Sequence, residues 1–226
     1  GGSGTGMGMS DSLWNGGSSG DLGKVIMYID KVRPYRPLLL IGFSLSGNIL
    51  LKYLGEGRKL APNIAGAFAV NPPIDLKIAS QLLSWDKRSR IFNWYYMSQI
   101  NRQIAAVTEV FPTAFCPTRQ AGNIWEFDAA YTALAAGYRD EEDYYHKCSS
   151  KQFLENIRVS TTILYSRDDP FIPPELFENC RMSLAVNYIA TRHGGHMGYI
   201  SKDLTPLGDY RWMDQVILDW ATRMPL

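Results

Sequence analysis

One stretch of the chain constrains its fold more than any other. Leu38-Leu39-Leu40-Ile41-Gly42-Phe43 reads as a short buried strand, and Leu45 to Leu54 as an amphipathic helix, with Ser44 held in the tight turn between them. A serine hydroxyl is a poor nucleophile at neutral pH, so a chain that uses one must present it on a sharp strand-to-helix turn. There it lies near a base and near the backbone N–H groups that open the helix. Gly42 tolerates the crowding on one side of such a turn. On the other side the pattern G-x-S-x-G asks for a second glycine, and this chain carries Ser46 there, with Gly47 one place later. Taken alone the pentapeptide is weak, and an ordinary turn or cap serine is the first reading of Ser44.

The C-terminal third changes the weighting. Thr161-Thr162-Ile163-Leu164-Tyr165-Ser166 is a β-branched run that ends in Arg167-Asp168-Asp169-Pro170, which puts two carboxylates at the C-terminal end of a strand. Val186 to Thr191 is another strand candidate, and Arg192-His193-Gly194-Gly195-His196-Met197-Gly198 follows it. Loops that leave the C-terminal ends of parallel strands converge on one edge of the sheet, so residues distant in sequence meet there. The order serine, acid, histidine is that of the α/β-hydrolases and differs from the chymotrypsin and subtilisin orders.

Six separated segments carry a family resemblance. They are Gly42-Phe43-Ser44-Leu45-Ser46-Gly47-Asn48, Asn71-Pro72-Pro73-Ile74-Asp75-Leu76, Phe127-Asp128-Ala129-Ala130-Tyr131-Thr132, Glu142-Asp143-Tyr144-Tyr145, Asp168-Asp169-Pro170-Phe171 and His193-Gly194-Gly195-His196-Met197-Gly198-Tyr199. From about Trp14 onward the chain resembles the YheT-like branch of the α/β-hydrolase superfamily. That branch holds the ABHD1 and ABHD3 type lipases and the yeast medium-chain ethyl ester synthases. Its motif usually reads G-F-S-L-G-[GA]-N, so Ser46 is the departure. The resemblance implies a mostly parallel α/β sheet flanked by helices, with a helical cap insertion. It implies Ser44 as nucleophile, and by family position Asp169 rather than Asp168 as the acid, Asp168 being the reserve. The implied substrates are carboxylic esters with short or medium acyl chains, or lipids.

Composition bounds what remains. At 226 residues with a net charge of +1 and both signs interspersed, the chain has no footprint for nucleic acid or for an acidic lipid surface. Cys116, Cys148 and Cys180 are odd in number and widely spaced, which points to a reducing, cytoplasmic compartment rather than a disulfide framework or a zinc site. No apolar run approaches the roughly 18–20 residues that cross a bilayer. No metal or organic cofactor is implied.

The organisation expected is an irregular Gly/Ser-rich start over 1–20, an α/β core from 21–73 and 151–226, and a helical insertion over 74–150. Gly1 to Gly6 is similar to a glycine turn that follows the fourth strand in the family, and its spacing does not fit a dinucleotide-binding loop. Asp21 precedes Leu22, Val25, Ile26, Ile29 and Val32, one helical stripe closed by Arg33-Pro34. Only that helix separates the glycines from the Ser44 strand, so the early strands of a full α/β-hydrolase sheet have no sequence to occupy. The expected consequences are an open side on the Leu38 strand and one oxyanion donor, the Leu45 N–H, instead of two. Losing such a donor costs on the order of 10²–10³ in turnover in a well-studied protease, so the chain alone is expected to be weakly active or inactive.

Within the insertion, Trp85, Ile91, Phe92, Trp94, Tyr95, Tyr96 and Met97 form a dense apolar cluster. Plain core is the commoner meaning of such spacing, and the lining of an acyl pocket the sharper one. Lys87, Arg88 and Arg90 read as a solvated face. Each candidate in the C-terminal third also has an ordinary meaning: an acid before Pro170 can cap a turn, His193 at the strand end reads as structural, and His146 as a surface or cap histidine. A His193-x-x-His196 metal site has too few ligands in sight. His196 is the candidate base, because the glycines around it let the loop bend back toward Ser44. The residues Tyr210 to Ala221 carry Trp212, Met213, Val216, Ile217 and Trp220, the stripe of a final helix on the sheet. The expected chemistry is ester hydrolysis through Ser44, His196 and Asp169. Its alternatives are acyl transfer to an alcohol and a non-catalytic binding module.

Overall fold

The structure is a computed structural model that describes residue 6 and residues 8–224. The glycine turn expected at the start lies, apart from Gly6, outside the described residues. Two compact units are present. One comprises the described residues up to Ser18 with Asp75–Ser149, and the other Ser19–Ile74 with the described residues from Ser150 onward.

The second unit holds the sheet. Strands β1 (Leu38–Phe43), β2 (Ile64–Val70), β3 (Thr161–Ser166) and β4 (Val186–Thr191) lie in the order β1-β2-β3-β4, and every neighbouring pair is parallel. Parallel neighbours need a crossover, and helix α2 (Leu45–Gly55) supplies the one between β1 and β2. Helix α1 (Ser19–Val32) begins two residues before Asp21 and buries Ile26. Central strand β2 is apolar throughout because both its faces are covered, and Phe68 and Val70 are fully buried. Phe68, Val70, Leu164, Tyr199 and Ile217 form one core cluster, against which Trp212, Met213, Val216 and Trp220 of the final helix Trp212–Arg223 pack. Each large side chain so buried contributes about 1.5–3 kcal/mol by leaving water. Strand β1 stands at one edge of the sheet, with Ile41 and Phe43 still exposed. All four strands point the same way, so Ser44, Asn71, Asp169 and His196 leave from the same end of the sheet.

The first unit is helical. Asp75 caps α3 (Leu76–Trp85) by accepting from the Ile78 N–H at 3.2 Å, and α4 (Arg90–Val110) follows a short turn over Lys87–Ser89. The inward stripe of α4 is Met97, Ile100 and Ile104, packed on Phe127, Tyr131 and Leu13. This corrects the plain-core reading of the aromatic cluster. Of its seven members only Met97 is buried, while Trp85, Ile91, Trp94 and Tyr95 are exposed. The physical reason is helical phase: a stripe through positions 97, 100 and 104 turns positions 91, 94 and 95 away from it. Farther on, Tyr145 donates its hydroxyl proton to Asp128 at 2.9 Å, and Ser80 hydrogen-bonds the same tyrosine oxygen at 2.8 Å. Burial pushes the Asp128 carboxyl up to about 6, against the opposing hydrogen bonds from Thr132 and Tyr145. Among the described residues, no helix is long and apolar enough to cross a membrane.

Candidate active site

Ser44 sits where β1 ends and α2 begins, with φ 50° and ψ −123°. Backbone in this region costs a non-glycine residue about 1–3 kcal/mol and persists only where its surroundings over-determine it. Here the Ser44 N–H donates to the Val70 carbonyl at 2.8 Å, and the Ser44 carbonyl accepts from the Gly47 and Asn48 N–H groups at 2.8 and 3.2 Å. A Cβ on Gly42 would lie 2.7 Å from the Ser46 carbonyl oxygen and 2.8 Å from Gly47 Cα, so only glycine allows the turn to close. The departure at Ser46 is accommodated because that residue is exposed, while Gly47 makes the close approach to Gly42 and Pro72.

The imidazole of His196 bridges two of the other strand ends. Its Nε2 lies 2.9 Å from Ser44 Oγ and its Nδ1 2.8 Å from Asp169 Oδ2. A carboxylate beside Nδ1 fixes the proton there and leaves the Nε2 lone pair facing the serine hydroxyl. The side chains of His196 and Asp169 are 3% and 0% exposed, so this pair is shielded from competing water. Phe171 packs on the imidazole with ring centroids 4.4 Å apart.

Asp169 also caps a turn. Its Oδ1 accepts from the Phe171 and Ile172 N–H groups, both at 3.1 Å, while Oδ2 serves His196. Capping of the turn and pairing with His196 therefore coexist on its two oxygens. Asp168 does not approach the imidazole of His196. It accepts from Ser166, from the Gly195 N–H at 2.8 Å and pairs with His193 at 3.3 Å, which ties down the loop that carries His196. Burial works to raise the Asp168 pKa, but those hydrogen bonds outweigh it and hold the carboxyl below its ordinary range. His193 itself is 88% exposed, and His146 is an exposed residue in the last turn of the helix Glu141–Cys148. Leu45 opens α2, so its N–H has no carbonyl four residues back inside the helix. Among the described residues, no group of three or more His, Cys, Asp or Glu could hold a metal ion.

Two residues that stand in the resemblance segments, Asn71 and Tyr199, were given no place in the site from the sequence. Asn71, at φ 41° past the end of β2, donates its amide to Asp169 Oδ2 at 2.6 Å and to the Gly195 carbonyl at 3.2 Å. Tyr199 donates its hydroxyl to the Asn71 side-chain carbonyl. The available signal was position: Asn71 ends a strand at the same sheet edge as Ser44, and Tyr199 closes the glycine-rich loop around His196.

No family model matches the chain. The YheT protein of Escherichia coli K12 is 29% identical over 216 residues, covering 93% of this chain and 62% of that protein. Over most of its length the chain is thus similar to proteins of the YheT and ABHD type. Monoacylglycerol lipase ABHD2 of Danio rerio is 26% identical, over 95% of this chain and 53% of its own length, and phospholipase ABHD3 of Mus musculus is 28% identical, over 80% and 44%. The chain thus spans about half the length of these curated relatives. Its parallel four-stranded sheet flanked by helices agrees with the α/β fold that the resemblance implies.

Proposed function

We propose that the protein is a serine ester hydrolase of this α/β-hydrolase group, with Ser44 as nucleophile, His196 as base and Asp169 as its orienting acid. The observation that carries this reading is the unbroken hydrogen-bonded line from Ser44 Oγ through the imidazole to Asp169, built on a serine held at positive φ. Nε2 of His196 takes the Ser44 proton as Oγ attacks the ester carbonyl, and then gives it to the departing alcohol. Asp169 stays ionised and stabilises the imidazolium that forms between these steps. The Leu45 N–H, at the positive end of α2, supports the oxyanion of the tetrahedral intermediate. Water then enters by the same base to release the acid and free the serine.

Two of these relatives bear lipase names, monoacylglycerol lipase and phospholipase, which supports lipid esters as the substrate class. A cytoplasmic setting is part of the reading and rests on the odd, widely spaced cysteines.

A fluorophosphonate probe tests the assignment, because it reacts only with an activated serine. The intact protein is expected to label once, and Ser44→Ala to abolish labelling. Persistent labelling of the alanine variant moves the nucleophile elsewhere, and absence of labelling in the intact protein supports the binding-module reading instead. Comparison of acid release with ester formation in alcohol-containing buffer separates hydrolysis from acyl transfer.

A further inference from the structure

We infer that Asn71 and Tyr199 are positioning residues that clamp the acid and the base loop of the site into one unit. This rests on the assignment of Ser44, His196 and Asp169 just proposed and names two residues that act through them. The argument begins with valence. Asp169 Oδ2 faces the imidazole, and the Asn71 amide reaches the same oxygen at 2.6 Å. From that one nitrogen Asn71 also donates to the Gly195 carbonyl at 3.2 Å, the residue directly before His196 in the chain. A single NH₂ group thus holds both the carboxylate and the backbone that carries the imidazole, so neither can shift without the other.

An asparagine amide can flip end for end, and flipped it would turn its carbonyl toward the carboxylate. Tyr199 prevents this. Its O–H donates to the Asn71 carbonyl oxygen, which commits the NH₂ end to Asp169. The hydroxyl is buried beside the Asp169 carboxylate and keeps its proton, so it remains a donor. Tyr199 is itself fixed, because its ring lies against Gly194, where a Cβ would come within 2.5 Å of it. Asn71 is fully buried, and its backbone N–H is anchored on the Leu164 carbonyl at 2.7 Å. The Ser44 N–H bonds Val70, the residue before Asn71, so the clamp also reaches the nucleophile turn.

The test is saturation kinetics of fluorophosphonate labelling on the intact protein, which separates probe binding from the rate of inactivation. Tyr199→Phe keeps the ring on Gly194 and removes only the hydroxyl, whose side-chain partners are Asn71 and Thr191. Asn71→Gly removes the amide while tolerating the positive φ. Each is measured well below its own melting temperature, so that loss of folded protein does not enter the rate. We expect labelling about tenfold slower in Tyr199→Phe and about ten- to a hundredfold slower in Asn71→Gly, with unchanged probe affinity, since a misplacement of about 1 Å costs on this order. The double variant should be no slower than Asn71→Gly alone, because Tyr199 holds the acid through Asn71. Wild-type rates in Tyr199→Phe, or rate losses that multiply in the double variant, overturn the clamp. If Asn71→Gly does not fold, Tyr199→Phe decides alone. Ser44→Ala in the same assay reads the underlying assignment separately: labelling there defeats the nucleophile and not the clamp.

Discussion

Asp169→Asn isolates what the acid does, because every neighbour of the Asp169 carboxylate is a donor. Oδ1 accepts from two backbone N–H groups and Oδ2 from Asn71 and His196. An asparagine must place its NH₂ group against one of these pairs. Facing Phe171 and Ile172 it meets two backbone donors that cannot retreat. The cheaper choice turns the NH₂ toward His196, which then accepts at Nδ1 and carries its proton on Nε2. In that tautomer the imidazole donates to Ser44 Oγ and cannot take its proton. The corresponding substitution in a serine protease lowers kcat by about 10⁴, so we expect a loss of that order in the rate of fluorophosphonate inactivation and of ester turnover. The leftover donor–donor contact with Asn71 adds about 1–3 kcal/mol of lost stability, read by urea unfolding. Asp168→Asn is the internal control. Its carboxylate touches Ser166, Gly195 and His193 but not the imidazole of His196, so we expect a loss of about tenfold at most through a looser loop. An Asp169→Asn protein that keeps a tenth of its activity, or an Asp168→Asn protein that loses as much as Asp169→Asn, refutes this account of the acid.

Further expectations concern the turn and the helical unit. Gly42→Ala should destabilise by about 1–3 kcal/mol and slow labelling, because its Cβ meets only backbone atoms of Ser46 and Gly47; Ser46→Gly, at an exposed position, should change stability by under about 1 kcal/mol and leave the labelling rate intact. Labelling that survives Gly42→Ala at the wild-type rate contradicts the close-packed turn. For Asp128, whose folded pKa is pushed up to about 6, the folded state holds a proton that the unfolded chain releases near pH 4. Its contribution to stability is therefore full below about pH 4 and lost as pH rises through about 6, a swing of order 3 kcal/mol. Asp128→Asn cannot ionise, so its stability relative to the wild type should climb by about that amount between pH 4 and pH 7.5, and a pH-independent difference would rule out a buried, proton-binding carboxyl.

The parts of this protein legible in its sequence are those set by neighbours along the chain. A run of Leu and Ile broken by Gly42 and Ser44 is a strand ending in a sharp turn because no other local structure suits it, and the stripe Trp212, Met213, Val216, Ile217, Trp220 faces a core for the same reason of period. The three widely separated elements that carry Ser44, Asp169 and His196 could be read as strand ends, since parallel strands deliver their C-terminal loops to a common edge. What tertiary structure alone decides is which atoms meet at that edge. Asp168 and Asp169 are equivalent in local chemistry, and only the direction in which the turn after β3 projects each carboxylate separates the one that faces His196 from the one that holds its loop. Asn71 and Tyr199 lie 128 residues apart, so no local pattern announces their hydrogen bond. Helix α4 is apolar on more than one face, and composition cannot choose its inward stripe; the packing of Met97 on Phe127 and Tyr131 chooses it, leaving Ile91 and Trp94 exposed. The sequence determined the elements and their order, because propensity and period act over a few residues. Packing decided the partners, because a buried polar atom is satisfied by whichever group the folded chain brings within about 3 Å.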